Sequence, residues 1–140
     1  MLSAGATELL ECLVAKAPVG IPRALVEQVV EYELAPLPMP APYVGGLGVK
    51  ADGLVLSIAL TPALGHSPRA TRGVLLRTSD QRRWCLEVTQ VLGFITAEVS
   101  ADALDPARPA WLRRARHPSG RTIIAVDVEV MAGELGGGAR

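Results

Sequence analysis

The sequence of this 140-residue chain predicts a mostly β protein, a barrel or sandwich with one or two short helices. A series of short segments rich in Val, Ile and Leu alternates with turn signals, which is typical of all-β folds and not of βαβ enzymes. Asp52-Gly53 joins two apolar runs, and Asp-Gly in that setting is the strongest short-range signal for a β-hairpin. Two groups of strands separated by a linker indicate two small barrels.

The apolar runs and turn signals define most of the expected elements. Residues 61–72 contain two prolines, a glycine and a histidine, and they predict an exposed linker. Residues 100–116 predict a long loop with some helical character, and residues 127–135 predict a short closing helix. The predicted strands cover residues 9–15, 19–21, 43–50, 54–60, 74–77, 83–94 and 122–128.

One stretch, residues 22–32, predicts a helix of about three turns. Pro22 suits the first helical position, because its missing N–H would have no partner there. Leu25, Val26, Val29 and Val30 form an apolar stripe at helical spacing. The four alternate prolines of residues 36–42 then predict a stiff connector to the hairpin.

The domain organisation follows from these elements. We expect a single domain over residues 1–140, with two lobes that share a core. Lobe one is predicted at about residues 9–64, with the C-terminal segment packing back onto it. Lobe two is predicted at about residues 73–128. A chain of this length buries roughly two-thirds of its unfolded surface, which is enough for a core without metals or disulfides.

Composition narrows the classes of function. Fourteen basic and fourteen acidic residues cancel, so the molecule as a whole has no electrostatic attraction for nucleic acid or anionic lipid. Cys12 and Cys85 lie in apolar runs without metal-ligand or redox spacing, and we expect buried thiols and no cofactor. The longest uncharged apolar stretch, residues 53–64, falls short of the ~20 residues that span a bilayer. No signal peptide is recognisable, so the sequence predicts a cytoplasmic protein without direct membrane insertion.

Local motifs for catalysis are missing. The glycines of residues 45–48 lead into a strand and not into a helix, which excludes a phosphate-binding loop. Ser57 lies in an apolar strand without a Gly-x-Ser-x-Gly context. His66 and His117 lie in loops without metal-ligand spacing. The sequence therefore predicts that the chain is not an enzyme.

One basic cluster supports a competing class of function. Arg113, Arg114 and Arg116 follow Trp111, and an aromatic side chain beside arginines can stack on bases while the arginines bind phosphate. A small nucleic-acid-binding barrel is therefore the alternative of another class. The zero net charge favours a solvated loop or a protein interface instead.

Several segments, in order along the chain, resemble the CheW-like coupling proteins of bacterial chemotaxis. Val19-Gly20-Ile21 resembles the family's Tyr-Gly-Ile return, and Val88-x-x-Val91 resembles its Val-x-x-Val motif. The segment from Gly120 to Asp127 resembles its closing Gly-x-x-Ile-Leu-Leu-Leu-Asp strand. The matching segments are residues 11–14 with 19–22 and 25–29, residues 37–47, residues 54–60, residues 88–92 and residues 120–127.

The resemblance implies two five-stranded SH3-like barrels and an adaptor that links chemoreceptors to a CheA-type histidine kinase. In that family a hydrophobic groove between the barrels receives the cytoplasmic tip of a chemoreceptor, and the first barrel binds the kinase. The implied receptor-binding groove comprises Val26, Val29, Leu54, Val74 and Val88. The implied kinase-binding residues are Gln28, Leu37 and Ala51.

The chain departs from the family at polar positions. Ala51 or Lys50 stands where the family has an arginine, Gln28 where it has an acidic residue, and Ala59 where a strand ends in aspartate. These replacements support an alternative within the same class, a divergent component of the signalling array that binds receptor but couples poorly to kinase.

Overall fold

The computed structural model describes residues 2–14, 16–31, 34–35, 44–50, 53–59, 72–104, 106 and 109–135. A 3₁₀ turn at Arg23–Leu25 and one α-helix, α1 (Val128–Leu135), accompany the strands. The strands are β1 (Gly5–Val14), β2 (Ala17–Pro22), β3 (Val26–Glu31), β4 (Leu34–Ala35), β5 (Val44–Lys50), β6 (Gly53–Ala59), β7 (Arg72–Arg77), β8 (Arg83–Val88), β9 (Gln90–Ala103), β10 (Leu112–Arg116) and β11 (Thr122–Val126).

Five strands close into a barrel, in the order β1-β2-β11-β10-β9, which we call the barrel lobe. The β9 strand is 14 residues long, so its first part pairs with β1 and its last part pairs with β10. A parallel pairing of β11 with β2 completes the ring. Because the ring is closed, none of these five described strands has a free edge.

The remaining six strands form a sheet in the order β3-β7-β8-β6-β5-β4, which we call the second lobe. Its hairpin β5–β6 has Lys50 opposite Gly53, which confirms the predicted hairpin around Asp52-Gly53. The edge strands β3 and β4 are separated in sequence by residues 32 and 33 alone. Three Cα–Cα steps span at most about 11 Å, so the sheet must curl until its two edges approach each other. The predicted mostly β fold with two barrel-like lobes is therefore confirmed.

The two lobes share one hydrophobic core. In β1, Leu9 points into the barrel and Leu10 points out of it towards the second lobe, because side chains alternate along a strand. Four consecutive residues of β1 are buried for this reason. Trp84 and Trp111 are the largest side chains of the core and are each 1% exposed. The shared core also includes Cys12, Val14, Val19, Ile21, Val74, Leu76, Leu86, Val88, Leu112, Val126, Val128, Met131 and Ala132.

The helix α1 packs against both lobes. Its presence confirms the predicted closing helix. Met131 is fully buried in the shared core. At the first turn of α1, the Glu129 carboxylate accepts hydrogen bonds from the Ser79 backbone N–H at 2.8 Å and from the Ser79 hydroxyl at 3.0 Å. Ser79 lies in the turn between β7 and β8, so these bonds hold the helix against the second lobe.

The strand order corrects the predicted lobe boundaries of residues 9–64 and 73–128. The barrel lobe combines β1 and β2 with β9, β10 and β11, whereas the second lobe is built from the middle of the chain. The chain crosses between the lobes at Thr89, whose N–H donates to the Leu13 carbonyl at 2.7 Å. The predicted strand over residues 83–94 is therefore two strands, β8 and β9, in different lobes. Pairing between distant segments decides this division, and local sequence carries no signal for it.

Two other sequence predictions were wrong. The helix predicted for residues 22–32 does not form over the described residues 22–31, because the backbone is already extended at Pro22 and Val26 and continues as β3. A three-turn helix is marginal by propensity, and the pairing of β3 with β7 outweighs it. Residues 100–116 are not a long loop, since β9 extends to Ala103 and β10 begins at Leu112. The predicted connector 36–42 and most of the predicted linker 61–72 lie outside the described residues.

Gly20 in β2 allows the barrel interior to close. A Cβ atom at this position would lie 2.6 Å from Leu9 Cδ1 and 3.2 Å from Leu9 Cβ. Leu9 is fully buried and packs inside the barrel among other buried apolar side chains, so it has little room to move. Those neighbours are Leu2, Ala97, Val99, Ala115, Ile123 and Ala125.

We therefore expect Gly20→Ala to destabilise the fold by about 1–3 kcal/mol, the usual effect of overpacking. The measurement is the free energy of unfolding in urea, followed by circular dichroism. Gly133→Ala is the matched control, because a Cβ there meets nothing within 4 Å and alanine favours the helix by about 0.5–1 kcal/mol. Equal stability of the two variants would contradict the close approach of Gly20 to Leu9.

Candidate protein-binding site

The residues of the predicted receptor groove divide into exposed and buried positions. Val29 on β3 is 41% exposed, and Val26 is partly buried against the edge of the shared core. Val74 and Val88 are 0% exposed, so they belong to the core and cannot line an open groove. The backbone of Leu54 lies in β6, and its side chain is outside the described part of the structure.

The buried positions correct the sequence prediction for a simple reason. Val74 in β7 lies opposite Leu86 in β8, and this face of the sheet packs in the shared core. An apolar residue in a strand can face the core of its own lobe, another lobe or solvent, and its sequence pattern is the same in each case. The packing of the two lobes decides between these outcomes.

A bulge in β3 shapes the exposed edge of the second lobe. The register of the β3–β7 pairing shifts by one residue between Val26 and Gln28. A bulge of this kind changes the direction in which the neighbouring side chains point. Gln28 and Val29, although consecutive, are both exposed. Glu27 anchors the bulge, because its Oε1 accepts a hydrogen bond from Arg77 Nε at 2.9 Å. Among the described strands, β3 has β7 as its single neighbour in the sheet order, so this exposed segment lies at an edge.

The predicted kinase-binding residues are only partly described. Gln28 lies in β3, with its side chain exposed beside Val29. Leu37 and Ala51 lie outside the described residues. Of the eight residues implied by the resemblance, the structure therefore brings Val26, Gln28 and Val29 together on one strand.

The predicted nucleic-acid site is contradicted by burial. Trp111 is 1% exposed and Arg113 is 8% exposed, so the indole has no free face on which a base could stack. Arg113 Nε donates to the Ser100 carbonyl at 2.9 Å, and its terminal nitrogens donate to the carbonyls of Leu2 and Ser100. Its guanidinium also lies 3.8 Å from the carboxylate of Asp127. Arg113 therefore stabilises the barrel through these contacts. Of the three arginines in the cluster, Arg114 and Arg116 are exposed.

Two buried carboxylates stabilise the barrel lobe. Asp127 accepts a hydrogen bond from the Leu2 N–H at 3.1 Å, and its other oxygen accepts one from the Val130 N–H at the start of α1. Glu11, in β1, lies 2.6 Å from Arg121 Nη2 and 3.4 Å from His117 Nε2. His117, which the sequence places in a loop, thus lies beside a buried carboxylate. A glutamate inside the apolar run of β1 is the sequence signal that could have revealed this contact.

Both cysteines lie in the core. Cys12 and Cys85 are buried and form no disulfide, which agrees with the predicted buried thiols. Burial, with a smaller contribution from the neighbouring Glu11 charge, raises the pKa of the Cys12 thiol to about 12. This thiol therefore stays protonated at neutral pH. Within the described ranges no cluster of three His, Cys, Asp or Glu side chains could hold a metal ion, and no helix there is long and apolar enough to cross a membrane.

A small apolar patch on the barrel lobe was missed by the sequence analysis. Leu92 and Phe94 of β9 are 46% and 53% exposed, respectively. The Arg23 guanidinium lies over the Phe94 ring, 4.5 Å from its centroid, and forms an ion pair with Glu8 at 2.6 Å. The apolar pattern of β9 contains no signal that separates these exposed residues from core residues.

Comparison with known proteins gives a structural match. No family model matches the chain, and no curated protein matches it in sequence. Among solved structures, the scaffolding protein CheW from Thermoanaerobacter tengcongensis is similar, with a TM-score of 0.72 and 14% sequence identity. The match covers 86% of this chain and 88% of that chain. The two lobes and their shared core therefore form a CheW-like fold, as the resemblance of the sequence segments predicted.

Proposed function

We propose that this chain is a cytoplasmic adaptor of chemotaxis-type signal transduction, which binds the tip of a chemoreceptor and a CheA-type histidine kinase. The observation that carries the proposal is the segment Val26 to Val29 at the edge of the second lobe, in which residues 27–29 are exposed, on a CheW-like fold. The proposed activity is binding without a catalytic step. The side chains at this edge are valines, which can pack against an apolar partner, and the amide of Gln28, which can form hydrogen bonds.

The proposed receptor surface is centred on Val29. An apolar side chain that is 41% exposed beside a packed core favours contact with an apolar partner, at about 25 cal/mol per Å² of buried surface. Val26 lies next to this surface on the same strand and packs against the shared core. Leu54 remains part of the proposed set, whereas Val74 and Val88 are removed from it because of their burial.

The proposed kinase surface includes Gln28, with Leu37 and Ala51 from the resemblance. The neutral Gln28 amide lacks the charge that the family has at this position, which supports the alternative of a receptor-binding array component with weak kinase coupling. Pull-downs of the wild-type protein with each partner separate the two forms of the proposal. Capture of receptor and kinase together supports the full adaptor, and capture of receptor alone supports the divergent component.

Val29→Asp is expected to weaken binding to the receptor tip at least about fivefold, because a charge set against an apolar partner costs about 1–3 kcal/mol. The measurement is the dissociation constant for the cytoplasmic tip of a chemoreceptor from the same genome. Leu92→Asp is the matched control, because Leu92 is a similarly exposed aliphatic residue on the other lobe.

Circular dichroism should give native spectra for both variants, because both positions are exposed. Undiminished binding by folded Val29→Asp protein, or an equal loss in Leu92→Asp, would place the receptor surface elsewhere. If the wild-type protein binds neither receptor tip nor kinase, the adaptor function itself is wrong.

A further inference from the structure

The strand β10 presents two arginines to solvent. Arg113 and Ala115 point into the barrel, whereas Arg114 and Arg116 alternate with them and are exposed. Side chains two positions apart on a strand are spaced by roughly 7 Å. Arg116 has Thr122 of β11 opposite it on one side. The two arginines line a shallow open groove whose other lining residues are Glu98, Val99, Ser100, Ala115 and Thr122.

These two guanidinium groups differ from other arginines of the described chain. Five other arginines form ion pairs with carboxylates within the chain. Those pairs are Arg23–Glu8, Arg77–Glu27, Arg82–Asp80, Arg113–Asp127 and Arg121–Glu11. Arg114 donates a hydrogen bond to the Leu104 carbonyl at 3.3 Å, and among the described residues no carboxylate pairs with Arg114 or Arg116. Glu98 lies opposite Arg116 in the β9–β10 pairing but forms no close ion pair with it, so within the described residues these two cations are available to an external anion.

We propose that Arg114 and Arg116 bind an extended acidic segment of a partner protein, with carboxylates at alternate positions. An extended peptide repeats every two residues, with the same spacing of roughly 7 Å as β10, so consecutive same-side carboxylates can each meet one arginine. The planar guanidinium group suits carboxylates because it donates two parallel hydrogen bonds. The inference is independent of the proposed receptor surface, which lies on the other lobe.

An acidic peptide fits this surface better than nucleic acid does. Binding of single strands relies on exposed aromatic rings for stacking, and Trp111, beside the cluster, is 1% exposed. Glu98, opposite Arg116 in the β9–β10 pairing, would also repel a run of phosphates, whereas a peptide can place a neutral residue there.

The test uses the full chain and a short fluorescent peptide of alternating Glu and Thr, with fluorescence anisotropy at low salt. The double variant Arg114→Gln/Arg116→Gln is expected to bind about tenfold more weakly, as for the loss of two exposed ion pairs. Lys16→Gln, which removes an exposed cation elsewhere, should leave the affinity unchanged. Glu98→Gln should strengthen binding, because it removes the carboxylate that competes for Arg116.

Four results would overturn the inference. Absence of peptide binding by the wild-type protein, or undiminished binding by a folded double variant, would show that the arginines do not form an anion site. Equal affinity for a peptide of the same composition with its glutamates in one block would contradict the matched spacing. Tighter binding of a single-stranded oligonucleotide, lost in the same double variant, would assign the surface to nucleic acid.

Discussion

Val88→Asp is expected to destabilise the whole fold strongly, and not merely to remove a contact with a partner. Val88 is 0% exposed and packs in the core that the two lobes share. An unpaired carboxylate in such a place costs several kcal/mol. We expect a loss of about 4 kcal/mol or more, a large share of the roughly 5–15 kcal/mol that stabilises a typical domain.

The measurement is thermal and urea unfolding of Val88→Asp, followed by circular dichroism. Val29→Asp is the matched control, because it introduces the same charge in the same sheet at a position that is 41% exposed. Its expected loss is less than about 1 kcal/mol. A Val88→Asp protein with wild-type stability would show that the two lobes separate at this face and that Val88 can reach a partner.

The second large effect is expected from Asp127→Ala. Asp127 is 3% exposed, and its carboxylate caps α1, accepts the Leu2 N–H and lies 3.8 Å from the Arg113 guanidinium. The substitution leaves the arginine charge buried beside an empty site. Breaking a buried pair by removing one partner typically costs about 3–5 kcal/mol.

The free energy of unfolding in urea tests this expectation. Glu8→Ala is the matched control, because it breaks an ion pair with Arg23 whose two side chains are more than half exposed. Such exposed pairs contribute only about 0–1 kcal/mol. In the double variant Asp127→Ala/Arg113→Met the stability should partly recover, since the unpaired charge is gone. If Asp127→Ala and the control Glu8→Ala have the same free energy of unfolding, Asp127 does not stabilise the junction of the two lobes.

The local elements of this fold are determined by the sequence itself. Asp52-Gly53 predicts a hairpin, and β5 and β6 pair across it with Lys50 opposite Gly53. The run at the start of the chain predicts β1, and the closing helix forms as α1. Each of these signals acts between residues close in sequence, so it can be recognised without the rest of the molecule. The order of the matching segments also predicted the CheW-like fold that the structural comparison supports.

The exposure of individual residues depends on tertiary packing. The stripe of residues 22–32 satisfies a helix pattern, but β-branched side chains also suit a strand, and pairing with β7 decides the outcome. Val29 and Val74 lie opposite each other in that pairing, yet one is exposed and the other is in the shared core. In the same way, Arg113 is buried and Arg114 is exposed because β10 presents alternate residues to opposite faces.

The sequence by itself determined the strand-rich class, the hairpin and the general likeness to coupling proteins. The tertiary structure decided which strands share a lobe, which face of each strand is covered, and therefore which of the predicted contact residues can meet a partner. The physical reason is that burial arises from contacts between segments far apart in the chain, such as β1 with β9 and the barrel lobe with β7 and β8. An apolar strand has the same sequence pattern whether its outer face meets solvent, a second lobe or a partner protein.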